Sequence, residues 1–362
     1  MAQRLWIGGS AIVLFVLVVL FGLGLPILLV WPWWVLGLVA AAALVLAIPA
    51  FLLRRWVARK RPGWSPVRSF AAITAVLFMA LTATVAFPLY WLAYLVDARP
   101  TTMPLVTLTD GTKTVQFQGM QHIGSETFYK SVVYDLREAL DNGYRLFYEG
   151  VQPVDGRPDL TEWFDRFATG GNTDLSEGYK ALADGCGMQF QLDYFKGLTK
   201  DFTVHPARHV TADVTYLDMK TEYDRLMRDD PAFAKEMGGA GRKDATPKSD
   251  GNVVKSFLEF WQAGTPAQRK LLGFACRGFF SWTFAQKQAP SQKDKVILTF
   301  RNEKLARRIV DEAENKIWIT YGAAHIPGVI ADLQKIDPKW RVVSIRWSRV
   351  IANPDELDGE LR

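Results

Sequence analysis

A chain of 362 residues with net charge +6 and pI near 9.2 would, on average, suit an acidic partner such as nucleic acid. The distribution of charge excludes that reading: residues 1–99 hold eight Lys and Arg against the single acid Asp97, which leaves 35 basic and 36 acidic residues beyond them. The basicity belongs to the apolar end, and the polar remainder is close to neutral, so no nucleic-acid partner is expected.

From Leu5 to Leu53 no residue is charged. That run holds two membrane spans of about 20 residues each, expected at about 5–25 and 33–53. Pro26 and the Trp-Pro-Trp-Trp at 31–34 supply the turn between them. A third span is expected at about 70–96. The first run is too long for the apolar core of a cleaved leader. Between spans two and three lie Arg54, Arg55, Arg59, Lys60, Arg61 and Arg68 with no acid. Such a loop stays cytoplasmic, and Arg4 puts the N-terminus on the same side. Residues 1–97 therefore read as a membrane anchor and 98–362 as a domain facing the periplasm or exterior, in a multi-pass protein of the cytoplasmic membrane.

The polar domain reads as strands alternating with helices. Residues 114–119 form a strand, and Phe128, Val132, Val133, Leu136 and Leu140 mark a helix that Ser125 could cap and Gly143 ends. Residues 144–150 form a strand delivering Glu149. Further on, 295–300 (Lys-Val-Ile-Leu-Thr-Phe) reads as a strand leading into a helix from Arg301. A strand at 316–322, a helix from Pro327 and a strand at 340–347 follow. The pattern predicts an α/β fold: a mostly parallel sheet with flanking helices and a helical middle insertion over about 155–290. Residues 238–252 read as a mobile loop, either a lid or a connection. Cys186 and Cys276 have no metal-type spacing. They read as buried free thiols, although an oxidising compartment would let them pair.

Only four histidines occur, and two share the frame Gly-x-x-His: Gly119 with His122, and Gly322 with His325. Each frame falls where a strand turns into a helix, a place suited to glycine through positive φ or close backbone approach. His122, Glu149, Arg301 and His325 all fall at the C-terminal ends of expected strands, the edge where open α/β sheets gather ligands. Two imidazoles and a carboxylate there could hold a divalent metal and activate its water, with Arg301 stabilising an oxyanion. Equally, they could be hydrogen-bonded structural residues. His205 and His209, four apart, could add ligands if helical, but Pro206 can instead simply start a helix. No Gly-x-Ser-x-Gly elbow, Walker motif or dinucleotide fingerprint is present.

The segments "GMQHIGSETFYKSVVYDLREAL", "YEGVQP", "FRNEKLARRIV" and "YGAAHIPGVIADL" resemble the TraB/PrgY family with its GumN and Tiki relatives. Matching positions are Gly119, His122, Tyr129, Glu149, Arg301, Gly322 and His325, and Asp213 in "TADVTY" resembles a further family segment. The resemblance covers roughly 114–347. It implies a fold of the erythromycin-esterase and ChaN-like group and a hydrolase of peptidase type acting on a secreted peptide or protein. On that reading His122 and His325 bind a divalent transition metal (Mn, Co or Zn), and Glu149 and Arg301 are catalytic. The alternatives are a non-catalytic protein that binds a peptide or haem, and a scaffold whose histidines only brace the fold.

Overall fold

The computed structural model describes residues 2–57, 65–169, 175–195, 198–240, 263–286 and 290–352. Three long apolar helices come first: α1 (Ala2–Leu29), α2 (Trp33–Val57) and α3 (Pro66–Ala98). Each contains a stretch long and apolar enough to cross a membrane. Pro26 lies inside α1 rather than in the turn, which falls instead at Val30–Pro32. Gly24 lets α1 approach α3, since a Cβ there would lie 2.9 Å from the Thr82 carbonyl oxygen. The chain divides into two compact units, and the segment Gly264–Gly278 groups with the apolar helices rather than with the polar unit.

The polar unit is built on a six-stranded sheet of β1 (Thr102–Thr109), β2 (Thr114–Met120), β4 (Arg145–Tyr148), β6 (His209–Thr211), β7 (Lys316–Gly322) and β8 (Arg341–Arg349). Their order is β6-β4-β7-β2-β1-β8. Strands β6, β4, β7 and β2 are mutually parallel, whereas β1 runs antiparallel to both β2 and β8. The sheet is thus mixed and mostly parallel, with flanking helices. Strand β1 has no counterpart in the sequence reading. A two-stranded pair of β3 (Ile123–Gly124) and β5 (Gln189–Phe190) stands apart.

Alternation along the strands sends Val106, Leu108, Val115, Phe117, Ile317 and Ile319 to one face. There they pack against Leu305 and Ile309 of the helix Arg301–Asp311 and against Val329 and Leu333 of the helix Ile326–Ile336. Helix α4 (Glu126–Asp141) buries Phe128, Tyr129, Val132, Leu136 and Leu140. It ends at Gly143, whose φ of +78° lets the Tyr144 N–H reach back to the Ala139 carbonyl at 2.9 Å, the usual glycine stop. Ser125 stands at the N-cap position of α4 without capping it, because its hydroxyl accepts from the Ala352 N–H.

The middle region is mainly helical, with α5 (Pro158–Thr169), α6 (Leu175–Cys186), α7 (Gln191–Phe195), α8 (Thr199–Val204), α9 (Tyr216–Asp229) and α10 (Pro231–Ala240). A second core of Phe167, Val214, Met219, Leu226, Phe233 and Val296 holds much of it together. A reciprocal capping box of Thr215 and Asp218 starts α9. Of the loop expected at 238–252, residues 241–252 lie outside the described residues.

Two expectations are corrected here. Residues 295–300 are not a strand but a π-helical turn that runs directly into the helix Arg301–Asp311. Both sides of β7 are already taken by β2 and β4, and Val296 is buried in the second core instead. The cysteines are not free thiols: both are disulfide-bonded.

Candidate functional site

Because β4, β7 and β2 are adjacent and parallel, the residues leaving their C-terminal ends share one sheet edge. Glu149 leaves β4, and its N–H bonds the Thr320 carbonyl at 3.0 Å. His325 closes a short 3-10 turn after β7, and His122 follows β2. Arg301 reaches the same place from the start of its helix, not from a strand end as the sequence reading had it.

Arg301 is buried and every one of its N–H groups is engaged. Nε and Nη2 donate to the two oxygens of Asp213 at 3.0 and 2.5 Å, and Nη2 also donates to Glu149 Oε1 at 2.8 Å. Nη1 faces His325 Nε2 and the Ile297 carbonyl, each at 3.3 Å. Asp213 also accepts from the N–H groups of Gly150 and Val214 at 3.0 and 2.8 Å. Burial pushes the Asp213 carboxyl up, but Arg301 outweighs it and holds the acid below its usual range. The same partners raise Arg301 well above its ordinary value despite burial, so the guanidinium is a permanent fixed charge.

Glu149 is held from two sides, since its Oε2 accepts from the Gly322 N–H at 2.5 Å. Gly322 has negative φ; it serves by close approach, because a Cβ there would lie 3.3 Å from Glu149 Oε2. Gly119 works the same way, with a Cβ meeting the Ala323 side chain at 3.0 Å. His325 is 3 % exposed. Burial, then the charge of Arg301, lowers its pKa to about 4, so it is neutral at pH 7. Its Nδ1 lies 2.7 Å from Asn302 Oδ1. That oxygen only accepts, which puts the proton on Nδ1 and leaves the lone pair on Nε2 facing Arg301.

His122 is exposed and its ring stacks on Tyr179 with centroids 4.4 Å apart. Its Nδ1 lies 3.1 Å from Gln191 Nε2. Desolvation by the chain packed around the ring lowers its pKa even though the residue keeps an exposed edge, with Glu149 opposing the shift and Arg301 adding to it. Among the described residues it makes no hydrogen bond to Glu149, Arg301 or His325. Tyr129 is buried and donates from its hydroxyl to the Gln121 carbonyl at 2.7 Å, which braces the turn carrying His122.

His205 and His209 do not join this site, nor do they share a helix face: His209 begins β6 after a 3-10 turn started by Pro206. Both instead hold Asp201, His205 Nδ1 at 3.1 Å and His209 Nε2 at 2.6 Å, and His209 Nδ1 meets the Tyr148 hydroxyl at 2.9 Å. Sequence reading missed Asn302, Tyr321, Tyr179 and Gln191. Only Asn302 carried a signal, as the polar neighbour of Arg301 at the start of an otherwise amphipathic helix.

A metal at this edge would need lone pairs from His122, Glu149 and His325. Both Glu149 oxygens and His325 Nε2 already face N–H donors, and the cation among them is Arg301. No group of three His, Cys, Asp or Glu side chains among the described residues stands close enough to hold an ion. As arranged, the donor set does not fit a metal. Comparison with family models, curated proteins and solved structures gives no match, so the likeness to the TraB/PrgY group rests on the spaced motifs.

Proposed function

We propose that the chain is a membrane-anchored hydrolase of TraB/Tiki-like type, cleaving a peptide or amide bond on the outer side of the cytoplasmic membrane. The observation that carries this reading is the buried Arg301 bonded to Glu149 and His325 at the shared end of adjacent parallel strands, with His122 following the next strand of the same edge. His122, exposed and with its pKa lowered, takes a proton from the attacking water and returns it to the amine nitrogen as the carbon–nitrogen bond breaks. Glu149 stands with its carboxylate fixed beside that reaction. Arg301 contributes charge rather than a new hydrogen bond, because its donors are already used; a fixed cation favours the oxyanion of a tetrahedral intermediate. His325 and Asn302 keep a neutral imidazole against Arg301 and so hold the guanidinium in place.

The test uses the purified full chain with a mixture of unstructured peptides, beside His122→Ala and Glu149→Gln. Cleavage in the wild type that falls at least 100-fold in both variants supports the reading. Peptide binding without turnover in the wild type sinks it and leaves a peptide-binding protein. A chelator arm decides the metal question. Activity that survives chelation agrees with the geometry, whereas loss restored by Mn, Co or Zn means that Arg301 withdraws from Glu149 and His325 to admit an ion.

A further inference from the structure

One transverse row of the sheet has a composition that neither the core nor the proposed active site uses. Ser344 of β8 pairs with Thr107 of β1, Thr107 with Gln116 of β2, and Gln116 with Trp318 of β7. Four neighbouring strands thus place hydroxyl, hydroxyl, carboxamide and indole side chains in line. At about 4.8 Å per strand the row is about 14 Å long. The adjoining residues of the opposite face, Val106, Phe117 and Ile319, form the apolar core. The polar row lines a groove of about 410 Å³ together with Asp135, Glu138 and Asn142 from the end of α4, within the range of small-molecule sites.

Two details point to a ligand rather than to a merely wetted face. Trp318 is 3 % exposed, and among the described residues its buried indole nitrogen has no hydrogen-bond partner; such donors are rarely left so in native folds. Beside it, Gln116 Nε2 makes only a long bond of 3.3 Å to the Tyr144 hydroxyl, which is readily exchanged for a better partner. The charges at the groove balance. Asp135 pairs with Arg346, and Lys316 bonds the Asn142 carbonyl at 3.1 Å while lying over the Tyr144 ring. Nothing there selects a charged molecule.

We propose that this groove binds a neutral, hydroxyl-rich ligand, a short carbohydrate, at a site separate from the His122–Glu149–His325 edge. Alternating hydroxyl, amide and indole groups suit a ligand that both donates and accepts along its length. The partly exposed ring of Tyr144, backed edge to face by the buried Trp318 at 6.4 Å, gives an apolar wall for the C–H face of a sugar ring. Lys316 and Trp318 lie in the N-terminal half of β7, whereas His325 follows its C-terminal end.

The experiment is saturation-transfer NMR on the full chain in lipid nanodiscs, prepared free of glycoside detergent, with maltotriose, chitotriose and trialanine as probes. Transfer to at least one sugar is expected, reduced at least five-fold in Gln116→Leu and in Thr107→Val and retained in His122→Ala. If Gln116→Leu fails to fold, Thr107→Val alone decides. Absence of transfer to both sugars overturns the assignment. So does transfer that survives in the groove variants, disappears in His122→Ala, or goes to trialanine alone.

Discussion

Asp213 is the residue on which the site's electrostatics turn. Its side chain is fully shielded and takes two bonds from Arg301, which is itself 6 % exposed. Removing one partner of a buried pair leaves the other charge uncompensated, at a cost of about 3–5 kcal/mol. Asp213→Asn should therefore lower unfolding stability by about that amount in a denaturant titration. Glu149→Gln, at a carboxylate whose side chain is a quarter exposed, should cost less, about 1.5–3 kcal/mol. Equal costs for the two would remove Asp213 from its central place. His325 adds a pH dependence. Its folded pKa of about 4 lies below the ordinary value of 6.5, so between those pH values the unfolded chain holds more protons and stability rises with pH. The stabilisation is complete above pH 6.5 and is lost as pH falls through 4. The difference is about 3 kcal/mol. Asp213 acts in the same direction at lower pH, since its carboxyl is held below its usual range. Unfolding stability measured from pH 7 to 4 should fall steeply in the wild type and more gently in His325→Gln. Parallel profiles would show that His325 is not the titrating group.

At the scale of elements, the strand-to-helix turns do the positioning, and the two glycines within them serve by closeness. A methyl at Gly119 would press against Ala323, Ile326 and Pro104 at 3.0–3.2 Å, so Gly119→Ala should cost about 1–3 kcal/mol as an overpacked site. At Gly322 the nearest atoms are Glu149 Oε2 at 3.3 Å and His325 Cδ2 at 3.5 Å. Gly322→Ala should leave stability nearly unchanged in thermal unfolding and lower peptide hydrolysis by displacing Glu149. These turns were legible because each combines a period-two strand, a glycine and an amphipathic helix within one short stretch. The run 295–300 was not: its five apolar or β-branched residues after Lys295 fit a buried strand or a buried helical turn alike, and only the occupied flanks of β7 decide between them. Strand β1 escaped notice because Pro104 and the neighbouring threonines blur its alternation, and its pairing partner β8 lies more than 230 residues away. Three of the four clustered residues were correctly tied to strand ends. The partners that fix them, Asn302 at His325 and Tyr321, whose hydroxyl accepts from Arg301 Nη2 at 3.4 Å, declare themselves only once helix and strand are brought together.

For the whole molecule, the strongest inference concerns sidedness. Three apolar helices are each long enough to cross a membrane. Six Lys and Arg with no acid stand between residues 54 and 68, and a short loop of that kind remains cytoplasmic. On the proposed topology, an odd number of crossings would carry the polar unit to the other side. The disulfide-bonded cysteines are compatible with the proposed sidedness, since such bonds persist in oxidising compartments and are rare in the cytosol. The two lines can be checked separately in cells. A phosphatase reporter that folds only outside the cytoplasm, fused after Arg362, should be active, and a fluorescent reporter that matures only in the cytoplasm should be dark at the same position. On gels, the extracted chain should migrate differently with and without reductant, and Cys186→Ser should abolish that difference. A bright cytoplasmic reporter with thiols that alkylate freely would reverse the sidedness. It would also move the proposed hydrolase site from secreted peptides to cytoplasmic ones, because the residues that carry the site travel with the polar unit wherever the third helix delivers it.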